Sequence, residues 1–211
     1  MKGGNLQKGI ICLLLAVMFL VPVNIASINE THPILNDESR LLGDNLVPNP
    51  SFEEGSGDMP DGWTIMNGGY ESVVFNWDTT DANHGDKSVG ITNILPKYGF
   101  RWQTEDYIEV DFKTTNYTLQ VWYKEIGETP DAWAQNAFLG IYFYREDMLE
   151  NGGMGVFLTH SSNWNFYEYI VNDMLDEERI NTTKYVKINL GHECLDEEKL
   201  DTDLEIRFDD V

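Results

Sequence analysis

From residue 44 onward, short runs of β-branched and aromatic residues alternate with clusters of Gly, Asn, Asp and Pro. Runs of this kind, bounded by turn-forming residues, are typical of strands in an antiparallel sandwich. The pattern therefore predicts an all-β fold, a two-sheet antiparallel jelly roll, with one helical turn at 172–180. The predicted strands are 71–77, 87–93, 100–110, 117–125, 138–145, 155–159, 165–171, 185–190 and 204–211.

Alternation within two of these strands separates an aliphatic face from an aromatic one. In the strand at 138–145, Tyr142 and Tyr144 lie opposite Ile141, and in the strand at 117–125, Trp122 lies opposite Val121. If the aliphatic face forms the core, these three aromatic rings point away from it. Exposed aromatic clusters usually mark a binding surface, although a covering loop or a second domain would also account for them.

The first 26 residues have the layout of a secretory signal peptide. Two lysines precede an apolar run at 10–23, and small or polar residues follow it. The run is short for crossing a bilayer and is interrupted at Pro22, which argues against an uncleaved membrane anchor. Residues 27–43 are polar and lack periodicity, so we interpret them as a linker to a domain at 44–211. These features predict a secreted or cell-surface protein.

The composition indicates a strongly negative surface around a sizeable core. The chain has 36 Asp and Glu against 14 Lys and Arg, a formal charge of -22, and 42% hydrophobic residues. Nucleic acids and anionic membrane surfaces require clustered basic charge, so both are disfavoured as partners. The hydrophobic content is too high for a solvated acidic tail. Cleavage after Ala26 would remove Cys12 and leave Cys194 without an internal disulfide partner.

No catalytic motif is complete in the sequence. His192 begins a zinc-protease H-E-x-x-H pattern, but Asp196 stands where the second histidine is required. The residues therefore do not favour an enzyme over a binding protein. A jelly-roll polysaccharide lyase or glycosidase is the alternative. The residue types that such an enzyme could use are present at Tyr142, Tyr144, Arg145 and His160.

Four short motifs in order resemble those of a known family. They are N-L-V-P-N-P-S-F-E at 45–53 with D-G-W at 61–63, N-H-G-D-K-S at 83–88, W-Q at 102–103 leading to Y-T-L at 117–119, and F-D-D-V at 208–211. Residues 44–211 thus resemble calcium-containing carbohydrate-binding modules of the galactose-binding-like jelly-roll type, as appended to secreted xylanases and cellulases. The resemblance implies non-catalytic binding of polysaccharide, beside a catalytic partner protein or at the cell surface. A surface structural or adhesion domain that binds protein is the second alternative.

The resemblance also implies a glycan-binding groove on the concave sheet, where aromatic rings stack on sugars. Trp102 matches the stacking tryptophan of the family, and Tyr142 and Tyr144 lie on the strand that supplies a second ring. Gln120 and Trp122 are weaker candidates on a neighbouring strand. Trp63, in contrast, is expected in the core. The acid excess favours neutral polysaccharides over anionic glycans such as pectin or alginate.

A structural calcium ion is the cofactor that the resemblance implies. In the family it lies where the first strand meets the last. Here its ligands map to Glu53, to Asp210 or Asp209, and to backbone carbonyls near Ser51 and Lys87. Calcium accepts six to eight oxygen ligands and tolerates mixed carboxylate and carbonyl sets, so this donor set is chemically suitable.

Overall fold

The computed structural model of the protein describes residues 45–66, 73–92, 99–127, 135–194 and 205–211. All of them belong to one unit, residues 41–211. The predicted signal peptide and linker lie outside the described residues, so both stay predictions. No helix in the described ranges is long and apolar enough to cross a membrane.

Strands form nearly all of the regular structure, as the alternating pattern predicts. In place of one helical turn at 172–180, the chain forms a 3-10 turn, Val171–Met174, and a short helix α1, Glu177–Thr182. Asp176 caps the N-terminus of helix α1, and its carboxylate accepts a hydrogen bond from the backbone amide of Arg179. The strands are β1 Gly55–Ser56, β2 Met59–Pro60, β3 Trp63–Met66, β4 Val74–Asp78, β5 Ser88–Thr92, β6 Gly99–Thr104, β7 Ile108–Glu109, β8 Thr118–Ile126, β9 Gln135–Tyr144, β10 Glu150–Phe157, β11 Asn165–Ile170, β12 Tyr185–Cys194 and β13 Glu205–Asp209.

Strands β1 and β2 pair with each other, and the other strands pair in two larger antiparallel sheets, which confirms the predicted sandwich. The front sheet has the order β10-β9-β12-β6-β3, and β7 also pairs with β12. The back sheet has the order β11-β8-β13-β5-β4. The consecutive strands β8 and β9 therefore belong to different sheets. Strand β13 lies in the middle of the back sheet, so the last strand of the chain is held on both sides.

Alternation along the strands directs one face of each sheet into a shared core. In β8, every second residue from Leu119 to Glu125 is buried. In β6, the inward residues are Phe100, Trp102 and Thr104. Side chains from both sheets form one hydrophobic cluster between them.

Trp102 lies inside this core. Its side chain has no exposed surface, and its indole Nε1 donates a hydrogen bond to the Gly90 carbonyl of the back sheet at 3.1 Å. Its ring also meets Phe75 edge to face, with 5.5 Å between centroids. A ring without exposed surface cannot stack on a sugar, so the prediction of Trp102 as the stacking residue is wrong. The core position predicted for Trp63 is confirmed, because that side chain is 2% exposed.

Replacing Trp102 should therefore destabilise the protein. We expect Trp102→Ala to lower the free energy of unfolding by about 3–5 kcal/mol, because it removes a large buried ring and leaves a cavity. Trp122→Ala is the matched control, since Trp122 lies on an outer face and is only partly buried; it should cost less than half as much. Urea denaturation of both variants measures the difference. A Trp102→Ala protein with wild-type stability would contradict the assignment to the core.

Candidate functional site

The outer face of the front sheet, here called the front face, carries aromatic rings beside glycines. Gly140 of β9 pairs with Gly155 of β10, and the Phe138 ring lies against both. A Cβ atom on either glycine would come within 2.3 Å of that ring. Tyr142 lies opposite Gly153 in the same pair of strands. Glycine is needed here because any side chain would displace the rings from the backbone.

A depression of about 290 Å³ lies between the Phe138 and Tyr142 rings. Both rings are partly buried, and Phe157 at the sheet edge is 47% exposed and packs 5.7 Å from Phe138, centroid to centroid. Two aromatic rings that lie on glycines, with polar backbone atoms exposed beside them, form a concave surface of the kind that takes a small ring-shaped ligand. The lining residues are Phe138, Tyr142, Gly153, Met154 and Gly155.

The hydroxyl of Tyr142 is held from across the sheet by Arg101. A guanidinium N–H of Arg101 donates to the Tyr142 hydroxyl at 2.6 Å, and the guanidinium carbon lies 5.4 Å from the ring centroid. Strand β12 lies between β6, which carries Arg101, and β9, which carries Tyr142, and its Gly191 is opposite Arg101. A Cβ atom on Gly191 would lie 2.7 Å from the Cβ of Arg101. Glycine at this position therefore leaves room for the arginine to cross β12.

A buried amide pair lies beside the glycine floor. The side-chain amide of Gln103 donates to the Asn189 side-chain oxygen at 2.8 Å, and Asn189 lies opposite Gly140. Neither Arg101 nor this pair was predicted from the sequence as part of a site. The alternation along β6 could have identified them. If Trp102 points inward, its neighbours Arg101 and Gln103 must point outward.

Tyr144 lies on the front face with Tyr142, as alternation predicts. Its ring packs edge to face with Tyr107 at 4.8 Å between centroids, and burial raises the pKa of its hydroxyl. The ammonium group of Lys187, which lies opposite Tyr142 on β12, is 4.6 Å from the Tyr107 ring centroid. Glycan binding by either tyrosine stays a prediction.

Trp122 and Gln120 lie on the outer face of the back sheet. The Trp122 ring packs against Phe166 at 5.3 Å, and the Gln120 amide donates to Glu168 at 3.0 Å. The prediction that they share a groove with Tyr142 is wrong. The chain crosses from the back sheet to the front sheet between β8 and β9. Trp122 and Gln120 on β8 therefore lie on the opposite side of the sandwich from Tyr142 on β9.

The predicted calcium ligands lie where the opening segment meets the end of the chain. The Val211 amide donates to the Pro50 carbonyl at 3.0 Å, and the Asn45 side chain donates to the Val211 carbonyl at 2.9 Å. Ser51 is partly buried in the turn beside Pro50. The first and last predicted motifs are therefore adjacent in space.

The loop at 83–87 is held by two acidic side chains. Glu53 accepts hydrogen bonds from the backbone amides of residues 86 and 87, at 2.8 and 2.9 Å. Asp209 accepts from the amides of residues 83 and 84, also at 2.8 and 2.9 Å. The ammonium group of Lys87 donates to the Glu53 carbonyl at 3.2 Å and lies 3.7 Å above the Trp77 ring. Both carboxylates thus contact the same loop from different elements.

Asp209 is fully buried next to Asp210, whose side chain contacts His84. Burial raises the pKa of Asp209 to about 7, and the charge of Asp210 acts in the same direction against the hydrogen bonds from backbone amides. A bound cation would reverse this shift, because it favours the charged carboxylate. Carboxylate and carbonyl oxygens suit calcium, although no three acidic, histidine or cysteine side chains converge within the described ranges.

No known family model and no curated protein sequence matches this chain. Several solved structures are similar in fold. The enzymatically active domain of tailspike protein 4 from bacteriophage CBA120 matches 79% of this chain at 16% identity, with a TM-score of 0.52. This chain spans about a fifth of that protein, since the match covers 20% of its length.

Carbohydrate-binding modules are among the other similar structures. The CBM22-1 xylan-binding domain of Paenibacillus barcinonensis Xyn10C matches 76% of this chain and 87% of its own, at 13% identity and a TM-score of 0.45. TmCBM61, solved with β-1,4-galactotriose, matches 80% of this chain and 96% of its own, at 16% identity and a TM-score of 0.42. At these identities the similarity concerns the fold alone.

Asp209 should link the stability of the metal-free protein to pH. Its pKa is about 7 in the folded state against 3.8 as the ordinary value, so the folded state holds this proton more tightly. Its contribution to the free energy of unfolding is therefore complete below pH 3.8 and is lost as the pH rises through 7. We expect Asp209 to remove about 1 kcal/mol of stability between about pH 6 and pH 8.

The measurement compares chemical denaturation of the wild type, Asp209→Asn and Asp173→Asn across this pH range. The comparison is needed because His192 also links stability to pH. Burial lowers the pKa of His192 to about 3. Its contribution to the free energy of unfolding therefore has the opposite pH dependence and is lost as the pH falls below 6.5. Asp209→Asn should alter the pH dependence, and Asp173→Asn, an exposed control, should not. Identical pH dependence in the wild type and Asp209→Asn would contradict the role of Asp209.

Proposed function

We propose that the domain binds a polysaccharide chain along the front face without cleaving it. The observation that carries this proposal is the pair of rings, Phe138 and Tyr142, which lie on glycines and line one depression on an outward-facing surface. Sugar rings have an apolar C–H face, which stacks on aromatic rings while the hydroxyl groups stay hydrated. The four sequence motifs that resemble carbohydrate-binding modules support the same ligand class.

Two aromatic rings account for weak, reversible binding. Stacking of this kind contributes about 1–3 kcal/mol per ring, by analogy with bases that stack on aromatic side chains. Phe138 and Tyr142 together, with hydrogen bonds to sugar hydroxyls, correspond to dissociation constants on the order of micromolar to millimolar. The hydrogen bond from Arg101 fixes the Tyr142 hydroxyl, so less side-chain freedom is lost on binding.

The residues suited to lyase chemistry have separate structural partners, which supports binding rather than catalysis. The imidazole of His160 bonds to the buried carboxylate of Glu125 at 2.7 Å. Arg145 donates to the Asn151 side chain at 3.2 and 3.3 Å. Export, action beside a catalytic partner and attachment at a cell surface all stay predictions. The acid excess favours a neutral polysaccharide.

Tyr142→Ala should weaken polysaccharide binding roughly 5- to 150-fold, because it removes one of the two stacking rings. Retention in native gels containing xylan, mixed-linkage β-glucan, galactomannan or galactan measures the effect, with the melting temperature as a check on folding. Trp122→Ala is the control, since its ring lies on the back sheet, and it should leave retention unchanged.

Two outcomes would contradict the proposed function. One is wild-type retention of Tyr142→Ala on every polymer that the unmodified domain binds. The other is steady release of reducing ends or unsaturated sugars by the purified domain, which would favour the lyase or glycosidase alternative. A domain that binds none of the polymers, with or without calcium, would favour the protein-binding alternative.

We also propose that a structural calcium ion joins the two ends of the domain. Its ligands would come from Glu53, Asp209 and Asp210, with backbone carbonyls near Ser51 and Lys87. The support is the donor chemistry, the adjacency of the opening segment and the chain end, and the buried Asp209 beside the partly exposed Asp210. The ion would neutralise that pair and hold the loop at 83–87.

Calcium at a hundredfold excess over its dissociation constant should stabilise the domain by about 2.7 kcal/mol, since it would bind only the folded state. Thermal melts in calcium and in chelator measure the difference. Glu53→Gln should abolish it, and Glu168→Gln, an exposed acid on the back sheet, should preserve it. Equal melting temperatures in calcium and chelator, with no heat of binding by calorimetry, would contradict the calcium proposal.

A further inference from the structure

We propose that the polysaccharide lies along the seam between β9 and β10, parallel to these two strands, and that Phe157 is a third ring that contacts it. The bound part of the ligand is then a linear run of at least three sugar units. This inference rests on the proposed function and adds the length of the ligand and its direction on the front face.

Three successive pairs of residues face outward along the seam, and every member is an aromatic residue or a glycine. The pairs are Phe138 with Phe157, Gly140 with Gly155, and Tyr142 with Gly153. The intervening residues of β10, Met154 and Val156, pack against the core instead. Alternation therefore presents a run of rings and backbone to solvent, without a charged side chain at any of these outward positions.

The rings of the seam follow one another along the strands. The Phe138 ring extends over Gly140 and Gly155, so it lies one pair closer to Tyr142 than its own backbone does. It lines one depression with Tyr142 and packs 5.7 Å from the Phe157 ring, centroid to centroid. Successive outward residues of a strand are about 6.7 Å apart, a step comparable with the length of one sugar unit in an extended chain. The three rings thus form a row that one extended chain can follow.

Phe157 is exposed where its backbone is firmly held. Its side chain is 47% exposed, whereas the next residue, Leu158, is buried and donates its amide to the Ala137 carbonyl at 2.8 Å. The Tyr123 hydroxyl of the back sheet donates to the Thr159 carbonyl at 2.7 Å. A ring carried on a fixed strand loses little freedom on binding. Because Phe157 continues a surface that already has two rings, its exposure is typical of a binding patch rather than of an isolated apolar residue.

A chain that crossed the sheet would meet a different set of side chains. The row of residues that contains Phe157 continues over β9, β12 and β6 to β3 at the opposite edge of the front sheet. Its members, in order, are Phe157, Phe138, Gly191, Arg101 and Met66. Beyond Phe138 this row consists of a glycine, an arginine and a methionine, so it offers no further ring for stacking. The stacking surface therefore continues along the seam.

The number of rings determines the length of the ligand. Two consecutive sugar units suffice to cover Phe138 and Tyr142, and a further unit is needed to reach Phe157. Since each stacked ring adds to the free energy of binding, affinity should increase with ligand length until all three rings are covered.

The test is an NMR titration, which also measures millimolar binding, with xylo-, cello-, manno- and galacto-oligosaccharides from disaccharide to hexasaccharide. For the series that the wild type binds, we expect Phe157→Ala to lower the affinity for the tetra- to hexasaccharides roughly 5- to 30-fold, within the range for one stacking ring. The affinity for the disaccharide should stay within about twofold, because Phe138 and Tyr142 remain.

Two control variants change exposed apolar residues elsewhere. Met66, at the opposite edge of the front sheet, is 47% exposed, and Ile170, at the end of the edge strand β11 of the back sheet, is 45% exposed. Met66→Ala and Ile170→Ala should keep the wild-type affinity at every length. Melting temperatures check the fold of all three variants. If Phe157→Ala is unfolded, Phe157→Leu keeps an apolar side chain without a ring and should show the same loss.

The results separate the inference from the proposed function. The inference would be overturned if the wild type bound no oligosaccharide, or if its affinity did not increase beyond the disaccharide. Unchanged binding of the hexasaccharide by Phe157→Ala, or an equal loss for the disaccharide and the hexasaccharide, would also overturn it. So would a loss in Met66→Ala as large as in Phe157→Ala, which would indicate a chain across the sheet. In each of these cases, polymer retention that depends on Tyr142 would leave the proposed function standing, and its absence would overturn both.

Discussion

Each strand of the front sheet has one face in a closed core and the other toward solvent, and the rest of the site depends on this constraint. Trp102 anchors the arrangement, because its buried ring and its hydrogen bond to Gly90 connect the front sheet to the back sheet. Once Trp102 points inward, Arg101 and Gln103 must point outward, where they meet Tyr142 and Asn189. The residue that looked most like a ligand contact thus positions the residues that surround the candidate groove.

The junction between the opening segment and the last strand is a second constraint, and it is electrostatic. Glu53 and Asp209 hold one loop through backbone amides, which stabilises carboxylates but leaves Asp209 buried beside Asp210. Burying a charge in this way is costly unless a cation compensates it. Asp209 and Asp210 therefore connect the stability of the fold with pH and with the proposed metal binding, at a place distant in sequence from the aromatic rings.

The charge of the whole chain and the aromatic rings of the front face act on a ligand at different ranges. The whole chain is acidic, which disfavours polyanions at long range. On the front face, Arg101 donates to the Tyr142 hydroxyl and the Lys187 ammonium group lies against the Tyr107 ring. At short range, aromatic rings and their polar neighbours therefore form the surface that a ligand would contact.

The sequence by itself determined the all-β class, most of the longer strands and the two faces of the most regular ones. The runs at 117–125 and 165–171 match β8 and β11 closely, and Tyr142 and Tyr144 lie on the predicted outer face, because alternation is a local property of an extended chain. Strands β1, β2 and β3 were missed. So was the first half of β10, because Asn151-Gly-Gly is typical of a turn, yet Gly153 makes room for the Tyr142 ring of β9. Only the tertiary structure decided which strands are neighbours. Trp122 therefore has the predicted orientation in the wrong sheet, and Arg101 meets Tyr142 from 41 residues away, because strand pairing is a contact between distant segments that no local pattern encodes.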